Sequence, residues 1–482
     1  MWLGLVGLAG LLAVAWSSAP ARAALTEHQL AAGSAPLGIT VGPDSALWFT
    51  DPGSNDIGHL TTAGTLGAPF TGLTAAATPQ GIVSAPDGNV WFTEATNNAL
   101  ARLTPTGSLT EFPLASLGAG TGPTAITRAG GLLYFTLSNT GRIGSVNPTA
   151  GSNALILGSE TQSAVVPSGA GAHLTSITPG PDGNLWFTEA SSNRVGNINP
   201  TLTTINEFAT GITAGSAPTG ITAGADSALW FTERAGDRIG RITTAGAVTN
   251  EFALPTPGSQ PTAITSGSDG ALWFTENRAD QIGRISTSGT VTETPLQAVS
   301  SPAGIVAGPD SAVWFTEQGR DRIGRLPTTP QNSALPAITG TATPGHTLSC
   351  SAGSWTNSPT AFAYRWKRND NPIAGATSAS YVVTTADTSH KLTCTVAATN
   401  GAGSTTATSA AVTVPKPHCV VPNVVGKKRG AAKKALKKAH CAVGKVRKKR
   451  SSGKPNRVLS QKPKPGKHLP AGSKVSLVVS KR

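Results

Sequence analysis

Charge is scarce in this chain, and each sign is missing from a different place. Only 13% of the 482 residues are charged, and residues 24–330 contain no Lys, with 12 Arg against 22 acids for a net of −10. That excludes a polyanion-binding surface from the first two thirds of the chain. Residues 416–482 show the reverse, with 21 Lys or Arg and no Asp or Glu, while residues 331–415 carry 4 bases and 2 acids. The overall net charge of +14 therefore resides at the C-terminus, and any anionic partner is expected there. Long apolar runs are also missing. The stretch Trp2–Trp16 is too short to span a bilayer well, and no later segment stays apolar for about 20 residues, so no membrane span is expected. Ala21-Arg22-Ala23 follows that stretch as a small-x-small cleavage pattern, so residues 1–23 read as a secretory signal peptide, although no Lys or Arg precedes the apolar run. An uncleaved N-terminal anchor is the alternative. The four cysteines include no CxxC pair, which argues against zinc. In an exported chain they favour disulfides, most economically Cys350 with Cys394 and Cys419 with Cys441.

What the chain does contain is a repeat. LWFT, VWFTE, LYFTL, LWFTE, LWFTE, LWFTE and VWFTE recur with anchors at Trp48, Trp91, Tyr134, Trp186, Trp230, Trp273 and Trp314. The spacings are 43, 43, 52, 44, 43 and 41 residues. Short apolar strands at that period, with 56 Gly and 35 Pro as turn residues, predict a mainly β protein whose residues 24–330 form a seven-bladed β-propeller. Each repeat has one plan. A Pro-x-Gly-Ile segment (Pro218–Ile221) starts the innermost strand, and a Pro-Asp-Gly type turn (Pro181, Asp182, Gly183) leads to LWFTE. Alternation puts Trp and Thr on one face of that strand and Phe on the other. An Arg-Ile-Gly-Arg strand (Arg238–Arg241) and an outer Val-Thr-x-Glu-Phe strand (Val248–Phe252) complete the blade. The outer strand is missing after the seventh repeat, while a spare copy, Leu25-Thr26-Glu27-His28, precedes the first. This predicts that the N-terminus closes the last blade and removes an exposed edge. The 52-residue spacing predicts an insertion around Gly151–Ala172.

LWFTE, RIGRI, a Thr-x-Gly turn and VTEF, together with Pro-x-Gly-Ile, resemble the virginiamycin B lyases (streptogramin lyases) over nearly all of residues 24–327. The resemblance implies a magnesium-assisted carbon–oxygen elimination that opens a cyclic depsipeptide at its ester. It also implies a His in a Pro-His-Ala-Ile segment of the penultimate repeat, a Glu and a His in a Glu-Pro-His-Gly-Ile segment of the last, and the acid of the last WF-x-E strand. Here Pro261-Thr262-Ala263-Ile264 places Thr262 at the first His. Ser301-Pro302-Ala303-Gly304-Ile305 places Ser301 at the Glu and Ala303 at the second His, and only Glu317 matches. Elimination needs a proton acceptor and a proton for the leaving oxygen, each worth about 10²–10⁴-fold. Thr262 and Ala303 do not titrate near neutral pH, and Ser301 is a poor magnesium ligand beside a carboxylate. The propeller's own histidines, His28, His59 and His173, lie outside the Pro-x-Gly-Ile segments.

The remaining acids, Asp51, Glu94, Glu189, Glu233, Glu276 and Glu317, form a ring interrupted at Leu137. Two readings stand: a cation-binding collar at one channel mouth, or carboxylates satisfied within their own blades, as Glu233 by Arg238. The x positions Leu37, Gln80, Thr124, Thr175, Thr219, Thr262 and Ala303 are neutral and hydroxyl-rich, suited to a small polar ligand or to none.

Beyond a Pro-rich join, residues 336–415 carry Cys350, Trp366 and Cys394 in the order of an immunoglobulin-like sandwich, with Leu392 where a tyrosine corner is usual. They resemble bacterial Ig-like repeats, expected to act as a spacer. Residues 418–482 resemble a PASTA domain, a small α+β module. The landmarks are Val421-Pro422-Asn423-Val424-Val425-Gly426, a helix Arg429–Ala439, Val458-Leu459-Ser460-Gln461, Pro463-x-Pro465-Gly466 and Val475–Val479. That resemblance implies binding to cell-wall muropeptides. Lys433, Lys434, Lys437, Lys438, Lys445, Arg447, Lys448, Lys449 and Arg450 are the expected wall-binding residues. Nucleic acid is disfavoured by the export signal and the lack of stacking aromatics. The sequence thus reads as a secreted, wall-associated binding protein with no cofactor, its propeller a platform for a protein or small polar ligand. A Mg-dependent lyase using Glu276 and Glu317 is the alternative.

Overall fold

The computed structural model describes residues 25–149, 153, 159–357, 359–400 and 403–481. The expected signal peptide, residues 1–23, lies outside the described residues, as does most of 150–158. The described residues divide into two compact units, one built mainly from residues up to Gln331 and one from the rest.

In the first unit each repeat is an antiparallel sheet, and the seven innermost strands touch in sequence order, the last against the first. This is the expected seven-bladed wheel. In blade 5 the strands are Pro218–Ala223, Leu229–Glu233, Arg238–Ile242 and Val248–Ala253, from hub to rim. Thr26–Gln29 pairs antiparallel with Arg322–Pro327, so the N-terminal strand closes blade 7 as predicted. Two details differ from expectation. Blade 1 has three strands, Ile39–Val41, Leu47–Asp51 and Asp56–Leu60; on its outer side an irregular segment is tied by the bridges Ile57–Phe70 and Leu60–Leu66 and by the Gly67 N–H to the His59 carbonyl, with Phe70 stacked on Trp48. In blade 3 the outer strand Thr161–Gln162 lies within the segment predicted as an insertion. The additional residues there flank a regular fourth strand.

The alternation of LWFT builds the packing between blades. Trp230 turns into a cluster with Leu272 and Phe274 of blade 6, while Phe231 packs with Trp186 of blade 4. The same handshake joins Trp314 of blade 7 to Phe49 of blade 1. In six blades the Phe ring crosses a Gly of the third strand, as Phe231 does over Gly240, so a Cβ at that Gly would collide with the ring; blade 2 has Ala101 opposite Phe92. The indole N–H of each Trp donates to the turn Asp four residues earlier, at 2.9–3.1 Å in six blades. In blades 5, 6 and 7 that Asp also receives Arg241, Arg284 or Arg325.

The buried Thr of each strand ties neighbouring blades. Thr316 accepts from the backbone N–H of Gly304 in its own blade at 2.8 Å and donates to the carbonyl of Leu37 in blade 1 at 2.9 Å. Thr50, Thr93, Thr188, Thr232 and Thr275 likewise donate to the carbonyls of Gln80, Thr124, Thr219, Thr262 and Ala303 at 2.6–2.8 Å. All of these Thr are fully buried.

In the second unit, Cys350 on the strand Thr347–Cys350 and Cys394 on Lys391–Asn400 join two separate sheets, and Trp366 packs with both. This is the arrangement expected of an Ig-like sandwich. Leu392 is buried in that core in place of a tyrosine. In the C-terminal module the helix Arg429–Lys438 packs Ala432 and Leu436 against a sheet of Ala442–Arg450, Lys474–Lys481 and Val458–Lys462. The second disulfide joins Cys419 to Cys441.

Thr316→Val keeps the shape and leaves the Gly304 N–H and Leu37 carbonyl unpaired. At about 1–3 kcal/mol for each buried unpaired group, the variant should lose about 2–6 kcal/mol in chemical denaturation. Thr316→Ser, which keeps the hydroxyl, should lose less than half of that.

Candidate functional site

The hub encloses a channel of about 360 Å³ whose wall is made by the Pro-x-Gly-Ile strands of six blades, including Leu37, Gln80, Thr124, Thr175, Thr262 and Ala303. Among the described residues lining it, none carries a titratable side chain. Thr262 and Ala303, at the two His positions the resemblance implied, both face this channel; Ser301 does not line it. The Ser301 N–H is held by Asp280 of the preceding blade at 2.8 Å, with the residue at φ 45°. The hydroxyls expected to make the ring receptive to a polar ligand are engaged locally. Thr262 donates to the carbonyl of Gln260 at 3.1 Å, Thr219 to Ala217 at 3.0 Å, and Thr124 and Thr175 meet Thr136 and Thr188 at 2.8 and 2.9 Å.

None of the three histidines reaches the hub. His28 stacks on Trp314 at 5.7 Å, where other blades place the outer-strand Phe. Its pKa is lowered by burial and then by Arg325. His59 bonds Asp44 at 2.8 Å, standing in for the third-strand Arg. His173 is exposed at the start of the inner strand of blade 4 and does not line the channel.

The ring of acids is not a collar open to the channel. Glu94, Glu189, Glu233, Glu276 and Glu317 are each fully buried, and none lines the hub. The pairing of Glu233 with Arg238 is also not made. Arg238 instead approaches Glu251 of the outer strand, at 3.6 Å, and both Glu233 oxygens lack a partner. The nearby Ser216 hydroxyl points elsewhere, donating to Thr213 at 2.7 Å. The reason is geometric: Glu233 lies on the same face of the sheet as Glu251, across the bare Gly240. Each inner acid thus faces an outer one: Glu94 with Glu111, Glu189 with Glu207, Glu276 with Glu293, Glu317 with Glu27. Outer members accept from N–H and hydroxyl donors, as Glu251 from Thr213 at 2.5 and 2.6 Å and Glu111 from Thr74 at 2.7 and 2.5 Å. Burial, and then the facing carboxylate, push Glu233 and Glu276 up to about 8 and Glu94 to about 7. Glu189, in contact with Ser168, is also raised to about 7, chiefly by burial, and Glu317 is raised by burial to about 6. Two facing carboxylates only accept, but a protonated Glu233 becomes a donor toward Glu251. Each inner acid is thus enclosed in its blade with a second acid facing it, and Glu276 and Glu317, both fully buried, do not line the hub.

The C-terminal cations fall on two surfaces. Lys433, Lys434, Lys437 and Lys438 are exposed on the helix. Val446 turns into the core under that helix, which sends Lys445 and Arg447 to the other face of the sheet. There they line a groove of about 450 Å³ with Lys462, Ser460 and Ser476. Lys448, Lys449 and Arg450 are exposed beyond it. Lys462, Ser460 and Ser476 were not among the predicted wall-binding residues. The strand pairing that brings them together joins segments distant in sequence, and only the count of cations hinted at it.

A seven-bladed propeller built on Thr and Trp-Asp contacts, with a cationic β-groove module after it, defines the class. Residues 17–165 and 155–356 match the virginiamycin B lyase family, and the chain belongs to that family; residues 420–481 match the PASTA domain. A solved streptogramin B lyase is 37% identical, with 63% of this chain and 96% of that one covered and a TM-score of 0.57. The virginiamycin B lyase of Staphylococcus aureus is 36% identical over 63% and 98% of the two chains, TM-score 0.57. A catalytically inactive histidine-to-alanine variant of that enzyme, solved with quinupristin, gives 36%, the same coverage and a TM-score of 0.56. Among curated proteins, none matches.

The diacids set a pH dependence. Glu233 and Glu276 have folded-state values near 8, above an unfolded value of about 4.3, so the folded chain holds more protons between the two. Their stabilisation is therefore full below about pH 4.3 and is lost as pH rises through about 8. Urea midpoints of the propeller should fall from pH 5 to pH 8.5. Glu276→Gln, which cannot titrate, should remove up to about 1.4 kcal/mol per pH unit from that slope.

Proposed function

We propose that this protein is exported and wall-associated: a binding protein whose propeller is an interaction platform and whose PASTA module holds an anionic wall polymer such as peptidoglycan. The observation that carries this reading is the composition of the channel wall. The residues facing the hub include Thr262 and Ala303 and no titratable side chain. An elimination at this hub would have no residue there to take the proton or return one. In the S. aureus enzyme a single histidine-to-alanine change already gives a catalytically inactive protein. Here both implied His positions are non-basic, Ser301 replaces the implied Glu, and the matching Glu317 is sealed inside blade 7.

The two disulfides favour an oxidising location. The PASTA match implies a wall or peptide ligand, and the Lys445–Arg447–Lys462 groove offers it a cationic track with hydroxyl donors. No helix among the described residues is long and apolar enough to cross a membrane. The second reading, a Mg-dependent carbon–oxygen lyase on another substrate, is favoured by 37% identity across 96% of a streptogramin B lyase.

Two measurements decide between them. Full-length protein incubated with quinupristin and Mg²⁺ should leave the ring intact by mass spectrometry, and appearance of the linear product would establish the lyase reading. In sedimentation with insoluble peptidoglycan, binding should fall steeply between 0.1 M and 1 M NaCl, as the screening length shortens from about 10 Å to about 3 Å. The triple variant Lys445→Glu, Arg447→Glu, Lys462→Glu should bind less at low salt; salt-independent binding would refute the electrostatic account.

A further inference from the structure

Blade 1 departs from the other six in charge as well as in strand number. The third strand begins with Arg142, Arg194, Arg238 and Arg322 in blades 3, 4, 5 and 7, and in three of these the guanidinium lies against the outer-strand acid, Glu207, Glu251 or Glu27. In blade 1 the equivalent residue is Asp56, paired in register with Asp51. An acid occupies the place of a cation, and the outer segment that covers it, bonded to the third strand through Gly67 and Phe70, carries Pro69 and no acid beside Phe70.

A cavity of about 110 Å³ stands at that spot. Asp51 and Asp56 both line it and are 3% and 7% exposed. Asp51 receives the Ser54 N–H at 3.2 Å. Asp56 has no hydrogen-bond or ion-pair partner for its side chain, and burial, then the Asp51 charge, push it up to about 6. The charged groups acting on the pair are all acids: Asp51 on Asp56, and Asp321 on Asp51. The other walls include Ser34 and Ser54 beside Asp51 and the apolar Leu30, Phe49, Pro69 and Leu66, the last 43% exposed. Two buried carboxylates without a counter-charge call for a cation. Two carboxylates and two serines set among apolar walls fall short of the roughly six oxygen ligands a divalent metal requires. They suit a cation with a hydrocarbon stem. At about 30 Å³ per water-sized group, the cavity takes a chain of roughly four such groups.

We propose that the Asp51–Asp56 pocket of blade 1 binds a primary ammonium group on a short alkyl chain, the head bonded to the two carboxylates and the stem against Leu30, Phe49 and Leu66. The ligand takes the place that the Arg side chain holds in blades 4, 5 and 7.

The test is calorimetric titration of the full chain at pH 7.5 with n-butylammonium chloride, and separately with CaCl₂ and MgCl₂. Saturable binding of n-butylammonium is expected, and Asp56→Asn should weaken it about tenfold or more, as expected for loss of one charge-assisted hydrogen bond. Asp56→Arg restores the residue used in the neighbouring blades, so the propeller is expected to keep its thermal midpoint while binding is abolished. Absence of saturable n-butylammonium binding, unchanged binding in Asp56→Arg, or a Ca²⁺ or Mg²⁺ isotherm that Asp56→Asn removes would each overturn the assignment. Nα-acetyl-lysine amide separates the sources. If it binds as well, a lysine side chain is the natural ligand; if n-butylammonium alone binds, a free amine is.

Discussion

One hydroxyl per blade holds the wheel together. Each LWFT threonine is fully buried and bonded on both sides, accepting from its own inner strand and donating to the inner strand of the next blade. Apolar contacts between Trp and Phe supply most of the cohesion, but they do not fix how one blade is set against the next. The threonine does, because it has one donor and its geometry admits one carbonyl. Blade 3 departs from that pattern. There Thr136 meets the Thr124 hydroxyl, and the bond onward to blade 4 is made by Thr124 to the Leu174 carbonyl at a longer 3.4 Å.

The carbonyl that receives the threonine belongs to the x residue of Pro-x-Gly-Ile. The fold therefore constrains that position through its main chain and leaves its side chain free. This explains how a chain can keep the family's wheel at 37% identity to a streptogramin B lyase while Thr262 and Ala303 stand at the two positions where the sequence resemblance implied histidines. Their carbonyls still accept from Thr232 and Thr275, at 2.7 and 2.8 Å. Architecture and hub chemistry are separable in this fold because one residue contributes its backbone to the first and its side chain to the second.

The wheel was legible because its signal is a period. Trp and Phe spacing predicted seven blades, and the missing last VTEF strand predicted closure by the copy Leu25–His28, where the strand Thr26–Gln29 is found. The fate of the acids was not legible. A Glu followed five residues later by Arg, as in Glu233 and Arg238, suggests an ion pair, and the two are in fact register partners. What sequence could not show is that Gly240, chosen to seat Phe231, also opens a path from Glu233 to Glu251 on the far strand. The PASTA groove escaped for a related reason: Lys445, Lys462 and Ser476 come together only through pairing across the central strand Lys474–Lys481. Local period reveals elements; charge placement depends on which strands become neighbours.

A symmetric wheel gives every blade the same loops and the same interior, so a selective site has to arise where the symmetry fails. The blade 3 insertion is the conspicuous failure in sequence, yet its outer strand is restored by Thr161–Gln162. Blade 1 is the quieter one. Its outer segment is irregular, meeting the third strand at Leu66, Gly67 and Phe70, and a cavity opens beneath it beside Leu66 and Pro69. In blades 4, 5 and 7 an Arg lies beside the facing acids. In blade 1 two Asp face each other with no base among the cavity's walls, and Asp56 has no donor. A strand ladder that spends most buried polar groups on each other leaves few unspent, and the position of that residual carboxylate is what distinguishes a binding pocket from a packing defect.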